Sequence, residues 1–255
     1  PELPAYLTSL GGAEHIGLII ALFTLTAGIS RPFSGKLTDT IGRRPVMIFG
    51  GLVCVICGIL YTFTFTVLGF LLLRLFHGFS TGFTPTATST YVSDIVPMER
   101  LGEAMGIQGI AFSTGLALGP ALGSLIKLYF SYEVLFCSSS FLAVLAIFLM
   151  MGLRETLVPK KTFRLARLKI KKHEILAKEA IPAGIVTLLT YVAFGVVLTL
   201  IPDWSDHLGL RNKGTFFIVF TLASLLVRLV AGSLSDRYGR VPLMVLGLLL
   251  LMIST

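Results

Sequence analysis

The chain has 255 residues, of which 55% are hydrophobic and only 13% are charged, and its formal net charge is +8. Soluble globular proteins carry about 25% charged residues, so this chain cannot cover a water-facing surface of normal polarity. A mean hydropathy of +0.88 excludes a disordered chain, and three cysteines exclude a disulfide scaffold. The composition therefore indicates an integral membrane protein.

Apolar runs of about 20 residues, the length that crosses a bilayer as a helix, recur along the chain. The candidate spans are Ile16–Ser34, Val46–Phe65, Val67–Val92, Ala104–Leu128, Val134–Leu153, Ile181–Ile201, Thr215–Ser233 and a shorter run, Val241–Thr255. The predicted fold is an all-α, polytopic transmembrane helix bundle of about eight spans.

Basic side chains fall mainly on one side of these spans. Fifteen Lys and Arg lie in the connections of one side and three in those of the other, and the segment 154–178 alone holds nine. The positive-inside rule places the richer side in the cytoplasm, with the N-terminus of the chain outside. The expected location is the plasma (inner) membrane, with the lipid bilayer as a partner. Nucleic acid is not expected, because one inter-helix linker accounts for most of the excess charge.

The sequence contains an internal repeat. Arg31–Met47 aligns without gaps on Arg228–Met244 at an offset of 197 residues, with eight of 17 positions identical. Both copies follow one apolar span, precede another and lie on the basic side. Two copies in the same orientation predict a parallel repeat, related by an axis along the membrane normal.

The repeated pattern G-x-L-x-D-x-x-G-R resembles the signature of the major facilitator superfamily of secondary transporters. The resemblance implies twelve spans in two six-helix halves joined by a cytoplasmic linker. It predicts a half bundle over residues 1–153 that lacks its first helix, a basic linker over 154–180, and a partial second half over 181–255. The chain is thus expected to be a fragment that begins, with Pro1–Gly12, in the loop after the first family helix and covers family helices two to nine.

The repeated segment is expected to act as a conformational latch, as the resemblance implies. Gly35 and Gly42 favour tight turns, Asp39 suits the N–H groups of a helix N-terminus, and Arg43 is expected to pair with Asp94. The full set of predicted latch residues is Gly35, Asp39, Gly42, Arg43, Arg44, Asp94, Gly232, Asp236, Gly239 and Arg240. The alternative is a simple turn that carries positive-inside charge.

Arg74 is the strongest functional candidate, because an arginine within a span is costly unless it faces protein or water. Arg74-x-x-His77-Gly78 resembles the fourth-helix motif R-x-x-Q-G of the same family, with His77 in place of glutamine. The two side chains share one helix face. We expect Arg74 to face a cavity between the two halves and to take part in substrate or proton handling. His77 is either a titratable group there or a hydrogen-bonded structural histidine.

Glycines four residues apart mark the fourth predicted span. Gly115, Gly119, Pro120 and Gly123 resemble the family's antiporter motif, although Ser124 replaces its last glycine. Small residues at this spacing predict close helix packing, and the resemblance favours export.

Two further polar side chains, Gln108 and Tyr191, are predicted to help orient a substrate, with ordinary interhelical hydrogen bonding as the alternative.

The predicted function is secondary active transport of a small molecule by alternating access, with proton-coupled efflux preferred. The alternatives are an importer of a sugar or an organic anion, with Arg74 as counter-charge, and a receptor with a transporter fold. No cofactor, metal site or enzymatic activity is expected, because the sequence shows no phosphate-binding glycine loop, metal spacing or nucleophile motif. No acidic residue falls in the middle of a predicted span, so proton coupling through a carboxylate is left open.

Overall fold

All regular structure that the computed structural model shows among its described residues is helical. The model describes residues 2–159, 161–163, 168, 180–192 and 214–254. The helices are α1 (Glu2–Ser9), α2 (Ile16–Ile41), α3 (Arg43–Tyr61), α4 (Val67–Ile95), α5 (Leu101–Tyr129), α6 (Tyr132–Gly152), α7 (Ile181–Val192), α8 (Gly214–Tyr238) and α9 (Arg240–Ser254). Each predicted span overlaps one of the helices from α2 to α9, and residues 193–201 of the sixth predicted span lie outside the described residues. The all-α prediction is confirmed.

The chain divides into two compact units. The first comprises residues 1–95 and 118–171, and the second comprises residues 96–117 and 172–255. Helix α5 contributes its first part to the second unit and its remainder to the first. The predicted division into half bundles at residues 153 and 181 stays a prediction. Most of the basic linker falls outside the described residues.

The first unit is built around α4, which packs against both α2 and α3, while α3 also packs against α6. Glycines allow the α2–α4 contact to be close. A side chain at Gly78 would collide with the backbone of α2 near Phe23 and Ala27, and one at Gly82 would meet the carbonyl of Ala27 at 2.9 Å. The buried hydroxyl of Ser34 donates to the carbonyl of Gly82 at 2.7 Å, which ties the same two helices together.

The N-terminal residues are helical, and the prediction of a loop over Pro1–Gly12 is wrong. Leu3, Tyr6, Leu7 and Leu10 are spaced as one face of a helix, and all four pack on the apolar core of the first unit, Leu7 with no exposed surface. The Tyr6 hydroxyl donates to the carbonyl of Thr64 at 2.8 Å. The helix was missed because eight residues are too short to give a span-length hydropathy signal.

Helices α2 and α8 continue past the apolar runs that were predicted from the sequence. Helix α2 ends only at Ile41, where Gly42 adopts a φ of +120°, and α3 begins at Arg43. Gly35 therefore lies inside a helix, with open space around it, so its predicted role in a tight turn is wrong. The added turns of α2 and α8 contain polar residues, which extend the helix without extending its hydropathy signal.

The same break recurs 197 residues later. Helix α8 ends at Tyr238, Gly239 adopts a φ of +89°, and α9 begins at Arg240. Positive φ is the conformation that favours glycine over other residues. The internal repeat in the sequence therefore corresponds to a repeated helix–glycine–helix structure.

Large apolar side chains cover much of the helix surfaces. Phe148 and Leu149 of α6 are each more than 70% exposed, which in a water-soluble protein would be an aggregation hazard. Among the described residues, the helices long and apolar enough to cross a membrane are Ala13–Ile41, Arg43–Tyr61, Val67–Ile95 and Tyr132–Gly152. An apolar exterior of this kind fits a protein surrounded by lipid.

Candidate functional site

A cavity of about 380 Å³ lies within the first unit. It is lined by residues of α1, α3, α4, α6 and the second part of α5, and most of its wall is apolar. The polar side chains that reach it include Tyr61, Arg74 and His77. The structure thus brings Arg74 and His77 together, in a cavity whose described lining belongs to the first unit, whereas the sequence suggested a cavity between two halves.

Arg74 is buried, with only 8% of its surface exposed. Its Nε donates to the carbonyl of Ile19 at 3.2 Å, and the centre of its guanidinium lies 4.4 Å from the centroid of the Phe23 ring. A cation over an aromatic face is stabilised by the ring quadrupole, more so where water is excluded. The hydrogen bond and the ring account for how helix α4 holds a charge inside the bundle.

His77 has a hydrogen-bonding partner in Tyr61. The Tyr61 hydroxyl lies 3.4 Å from Nδ1 of His77, and the Phe23 ring meets the imidazole edge to face at 5.6 Å. Phe23 therefore contacts both polar side chains of the R-x-x-H pair. The geometry is compatible with both alternatives that the sequence left open for His77, so its role stays a prediction.

Glu2 also lines this cavity, and the sequence analysis missed it. The Ser124 hydroxyl of α5 donates to Oε1 of Glu2 at 2.7 Å. Ser124 is the residue at which the chain departs from the antiporter motif. Because Pro1–Gly12 was interpreted as a loop, the carboxylate of Glu2 was not considered as a group that lines a cavity.

The predicted partners Gln108 and Tyr191 do not lie with Arg74 in the first unit. Gln108 falls in the first part of α5 and Tyr191 in α7, and both parts belong to the second unit. Gln108 and Tyr191 each take part in an interaction with another group of the protein. Their assignment to substrate orientation stays a prediction.

The antiporter-like stretch lies within α5, and its described glycines have room around them. A Cβ at Gly115 or Gly119 would meet nothing within 4 Å, and one at Gly123 would meet Leu135 at 3.5 Å. The packing role proposed for these glycines and Pro120 stays a prediction.

Next to the first signature turn, Arg43 pairs with Asp94, the acidic partner expected from the sequence. Nε of Arg43 lies 2.8 Å from Oδ2 of Asp94, and Nη1 donates to the carbonyl of Thr38 at 2.8 Å. Asp39 is 3.6 Å from Arg43 and its side chain is 70% exposed. The Arg43–Asp94 pair therefore connects the start of α3 to the end of α4.

Glu155, which follows α6, caps the N-terminus of α3 and was not identified from the sequence. Its Oε1 accepts the backbone N–H of Arg43 at 2.9 Å, and its Oε2 accepts that of Arg44 at 3.2 Å. A carboxylate at this position satisfies N–H groups that have no partner within the helix and also complements the helix dipole. A contact between residues more than 100 positions apart leaves no local signal in the sequence.

Replacing Gly42 by alanine is expected to destabilise the protein by about 1–3 kcal/mol, because φ is positive there and a Cβ would collide with the Glu155 carboxylate. The matched control is Gly35→Ala, where the helix is regular and the space is open. That variant is expected to be neutral or more stable by up to about 1 kcal/mol. Denaturant unfolding of both purified variants measures the difference, and equal effects at the two glycines would contradict this account of the turn.

In the second unit, Asp236 caps a helix N-terminus in the same way, and the helix that it caps is α5. Its Oδ1 accepts the backbone N–H of Gly102 at 2.7 Å, and its Oδ2 accepts that of Glu103 at 2.9 Å. Gly232, one turn earlier in α8, lies so close to the carbonyl of Gly102 that a Cβ would approach it to 2.7 Å. Arg240 lines a neighbouring cavity of about 530 Å³. Gly232 and Asp236 thus contact the start of α5, Arg240 lines the cavity beside it, and Gly239 forms the turn that follows α8.

The whole chain, residues 1–255, matches the family model described as the Major Facilitator Superfamily. The multidrug resistance protein MdtG of Rahnella sp. is 29% identical over 98% of this chain and 65% of its own length. The multi-drug resistance efflux pump PmrA of Streptococcus pneumoniae is 32% identical over 62% of this chain and 41% of its own length. The chain thus spans less than two thirds of the length of these relatives.

A solved structure shares the fold. The proton:xylose symporter XylE superposes with a TM-score of 0.68 at 16% identity, over 91% of this chain and 62% of that protein. At this identity the likeness supports the architecture and carries no information on substrate.

Proposed function

Because the chain belongs to the Major Facilitator Superfamily, a family of multi-pass membrane transporters and not of enzymes, we propose that the protein is a secondary active transporter. It moves a small molecule across the bilayer by alternating access and exports it in exchange for protons. The observation that carries the proposal is the cavity of the first unit, in which an apolar wall surrounds Arg74 and His77. Cavities that bind small molecules combine such a wall with a few convergent polar groups.

Two observations favour export. The α5 segment resembles the antiporter motif, and the similar proteins MdtG and PmrA are named for multidrug resistance and multidrug efflux. The proposed orientation places the N-terminus outside and the basic residues 154–178 in the cytoplasm of a plasma (inner) membrane. An importer of an organic anion is the second candidate, because the Arg74 guanidinium lines the cavity and offers a counter-charge.

The latch is a second part of the proposal. Three contacts join charged side chains to helix ends. Arg43 pairs with Asp94, Glu155 caps the N-terminus of α3, and Asp236 caps the N-terminus of α5. Contacts of this type have discrete made and broken arrangements, as a two-state conformational cycle requires. We infer that the cycle of transport breaks and remakes some of them.

Transport by the protein at its natural length, reconstituted in proteoliposomes, tests the function. Ethidium, a fluorescent apolar cation, is expected to accumulate when a pH gradient is imposed and to stop accumulating when a protonophore collapses the gradient. Radiolabelled organic anions and sugars are measured in the same vesicles as a control. Gradient-driven uptake of an anion or a sugar, with no movement of ethidium, would overturn the efflux proposal in favour of the importer.

A further inference from the structure

We propose that Phe23 is a positioning residue for Arg74, whose guanidinium the face of the Phe23 ring orients in the cavity of the first unit. The inference rests on the proposed function and adds to it a side chain that acts from behind the cavity wall. The described residues that line the cavity include Arg74 and His77 and do not include Phe23, yet the one ring contacts both of these side chains. Phe23 is therefore expected to act on transport through its neighbours, without contacting the substrate.

Helix α2 presents two groups to Arg74. Ile19 and Phe23 are four residues apart, so they lie on one face of the helix. The carbonyl of Ile19 accepts Nε of Arg74 at 3.2 Å, and the centroid of the Phe23 ring lies 4.4 Å from the central carbon of the guanidinium. A single hydrogen bond leaves a planar group free to rotate about the direction of that bond, and the contact with the ring removes this freedom. The two contacts together set the orientation of the guanidinium.

The contact between Arg74 and Phe23 is electrostatic as well as steric. The guanidinium is always positively charged, and the face of a phenyl ring carries the negative part of its quadrupole. Because Arg74 is buried, little water competes for its charge, and the attraction between a cation and a ring is stronger where water is excluded. An aliphatic side chain at position 23 would fill part of the same space without this attraction.

Backbone packing holds the Phe23 ring in place. Gly78 of α4 lies against α2 at this level, so that a Cβ there would collide with the carbonyl of Phe23 and would lie 3.2 Å from the backbone nitrogen of Ala27. The imidazole of His77 meets the Phe23 ring edge to face, with 5.6 Å between the ring centroids. A side chain that is locked by packed neighbours can hold the group that it contacts in one geometry. The ring can therefore orient the Arg74 guanidinium before a substrate binds.

Orientation matters because a guanidinium recognises its partners through N–H groups in a fixed planar fork. An arginine that is charged and buried but turned away directs these donors to the wrong place. The effect of Phe23 is therefore expected to depend on the electron density of the ring face and on the presence of a guanidinium at position 74.

The first experiment changes the ring face and keeps its shape. In the protein at its natural length, phenylalanine at position 23 is replaced by a singly or a triply fluorinated phenylalanine, introduced by suppression of a nonsense codon. Fluorine withdraws electron density from the ring face, which weakens its attraction for a cation. Ethidium transport in proteoliposomes is expected to fall stepwise along the series, by at least about fivefold with three fluorines. Equal transport along the series would overturn the proposal.

Phe79→Leu is the matched control for Phe23→Leu. Both rings are partly buried in the first unit, but the rings next to Phe79 are those of Phe76 and Phe83. The two variants lose the same atoms and are expected to lose similar stability in denaturant unfolding. Ethidium transport is expected to fall at least about fivefold in Phe23→Leu and to stay within about twofold of the wild type in Phe79→Leu. An equal loss of transport in both variants would indicate a general packing effect and would overturn the positioning role.

The second experiment tests whether Phe23 acts through Arg74. Residues in contact that act together give non-additive effects when both are changed. In the Arg74→Lys background, Phe23→Leu is expected to lower ethidium transport by no more than about twofold, since no guanidinium is left to orient. If Phe23→Leu lowers transport by the same factor in both backgrounds, the two side chains act independently and the proposal is overturned.

Nuclear magnetic resonance gives a readout that does not depend on transport. Protons held over the face of an aromatic ring resonate upfield because of the ring current. In protein with isotope-labelled arginine in lipid nanodiscs, the side-chain N–H signals of Arg74 are identified by their absence in Arg74→Lys. These signals are expected to move downfield in Phe23→Leu and to stay unchanged in Phe79→Leu. Unchanged signals in Phe23→Leu would also overturn the proposal.

The outcomes separate this inference from the proposed function. If the wild type transports neither ethidium nor an anion or a sugar, the proposed function fails, and the resonance measurement still decides whether Phe23 orients Arg74. If the wild type transports one of these probes and Phe23→Leu transports it equally well, the proposed function stands and only the role of Phe23 is overturned.

Discussion

Replacing Arg74 by lysine is expected to leave the protein folded and to lower its transport by about tenfold or more. The Nε of Arg74 donates to the carbonyl of Ile19 while the central carbon of its guanidinium lies over the Phe23 ring. A lysine keeps the positive charge, but its compact ammonium cannot lie over the ring and make the same directed bond at once. Ethidium transport in proteoliposomes, normalised to the amount of inserted protein, measures the effect.

The matched control for this variant is His77→Gln on the same helix face. A glutamine amide can bond the Tyr61 hydroxyl in place of the imidazole, whose Nδ1 lies 3.4 Å from it, and glutamine is the residue of the R-x-x-Q-G motif. This variant is expected to transport within about twofold of the wild type. Arg74→Lys with wild-type transport would show that charge alone is needed, and loss of transport in His77→Gln would show that the imidazole itself takes part.

The sequence predicted the helices well where hydropathy marks them and poorly where it does not. Within the described residues, all eight predicted spans overlap helices, because a bilayer demands long apolar runs that are visible in composition. The ends of α2 and α8 were misplaced, since helix continues through polar residues as far as Gly42 and Gly239. A helix boundary there depends on a glycine with positive φ, and only one of the two signature glycines in each repeat has it.

Some residues of the candidate site could be identified from the sequence and others could not. Arg74 was identified because a charge inside a span is rare and costly, and the structure shows how that charge is accommodated. Glu2 and Glu155 were missed for opposite reasons. Glu2 lies on a helix too short to be recognised as part of the bundle, and Glu155 lies beside basic residues that made it look like part of a charged linker.

The two copies of the repeat use their carboxylates differently in the described structure. In the first unit the cap on α3 comes from Glu155, outside the repeat, while Asp39 remains largely exposed. In the second unit Asp236, the repeat equivalent of Asp39, caps the start of α5. Conserved spacing in a sequence repeat therefore predicts a recurring backbone turn better than it predicts which helix end a given side chain will cap.

Asp236→Asn is expected to destabilise the protein by about 1–2 kcal/mol and to lower transport several-fold. The amide oxygen of asparagine can still accept the N–H of Gly102, but its NH₂ group would face the N–H of Glu103, so one charge-assisted bond is lost. The negative charge that complements the α5 dipole is lost as well. Thermal unfolding of the purified variant measures the first effect and ethidium transport the second.

Glu103→Gln is the matched control at the same helix start. The Glu103 side chain pairs with Arg100 at 2.9 Å, and both side chains are substantially exposed, so the pair contributes little to stability. Its removal is expected to change the unfolding temperature and the transport rate by amounts close to the error of measurement. Because both variants remove one negative charge near the same helix end, a difference between them isolates the bonds of Asp236 to the α5 backbone. Equal effects would mean that only the net charge at this end matters, and the assignment of Asp236 to the latch would then be wrong.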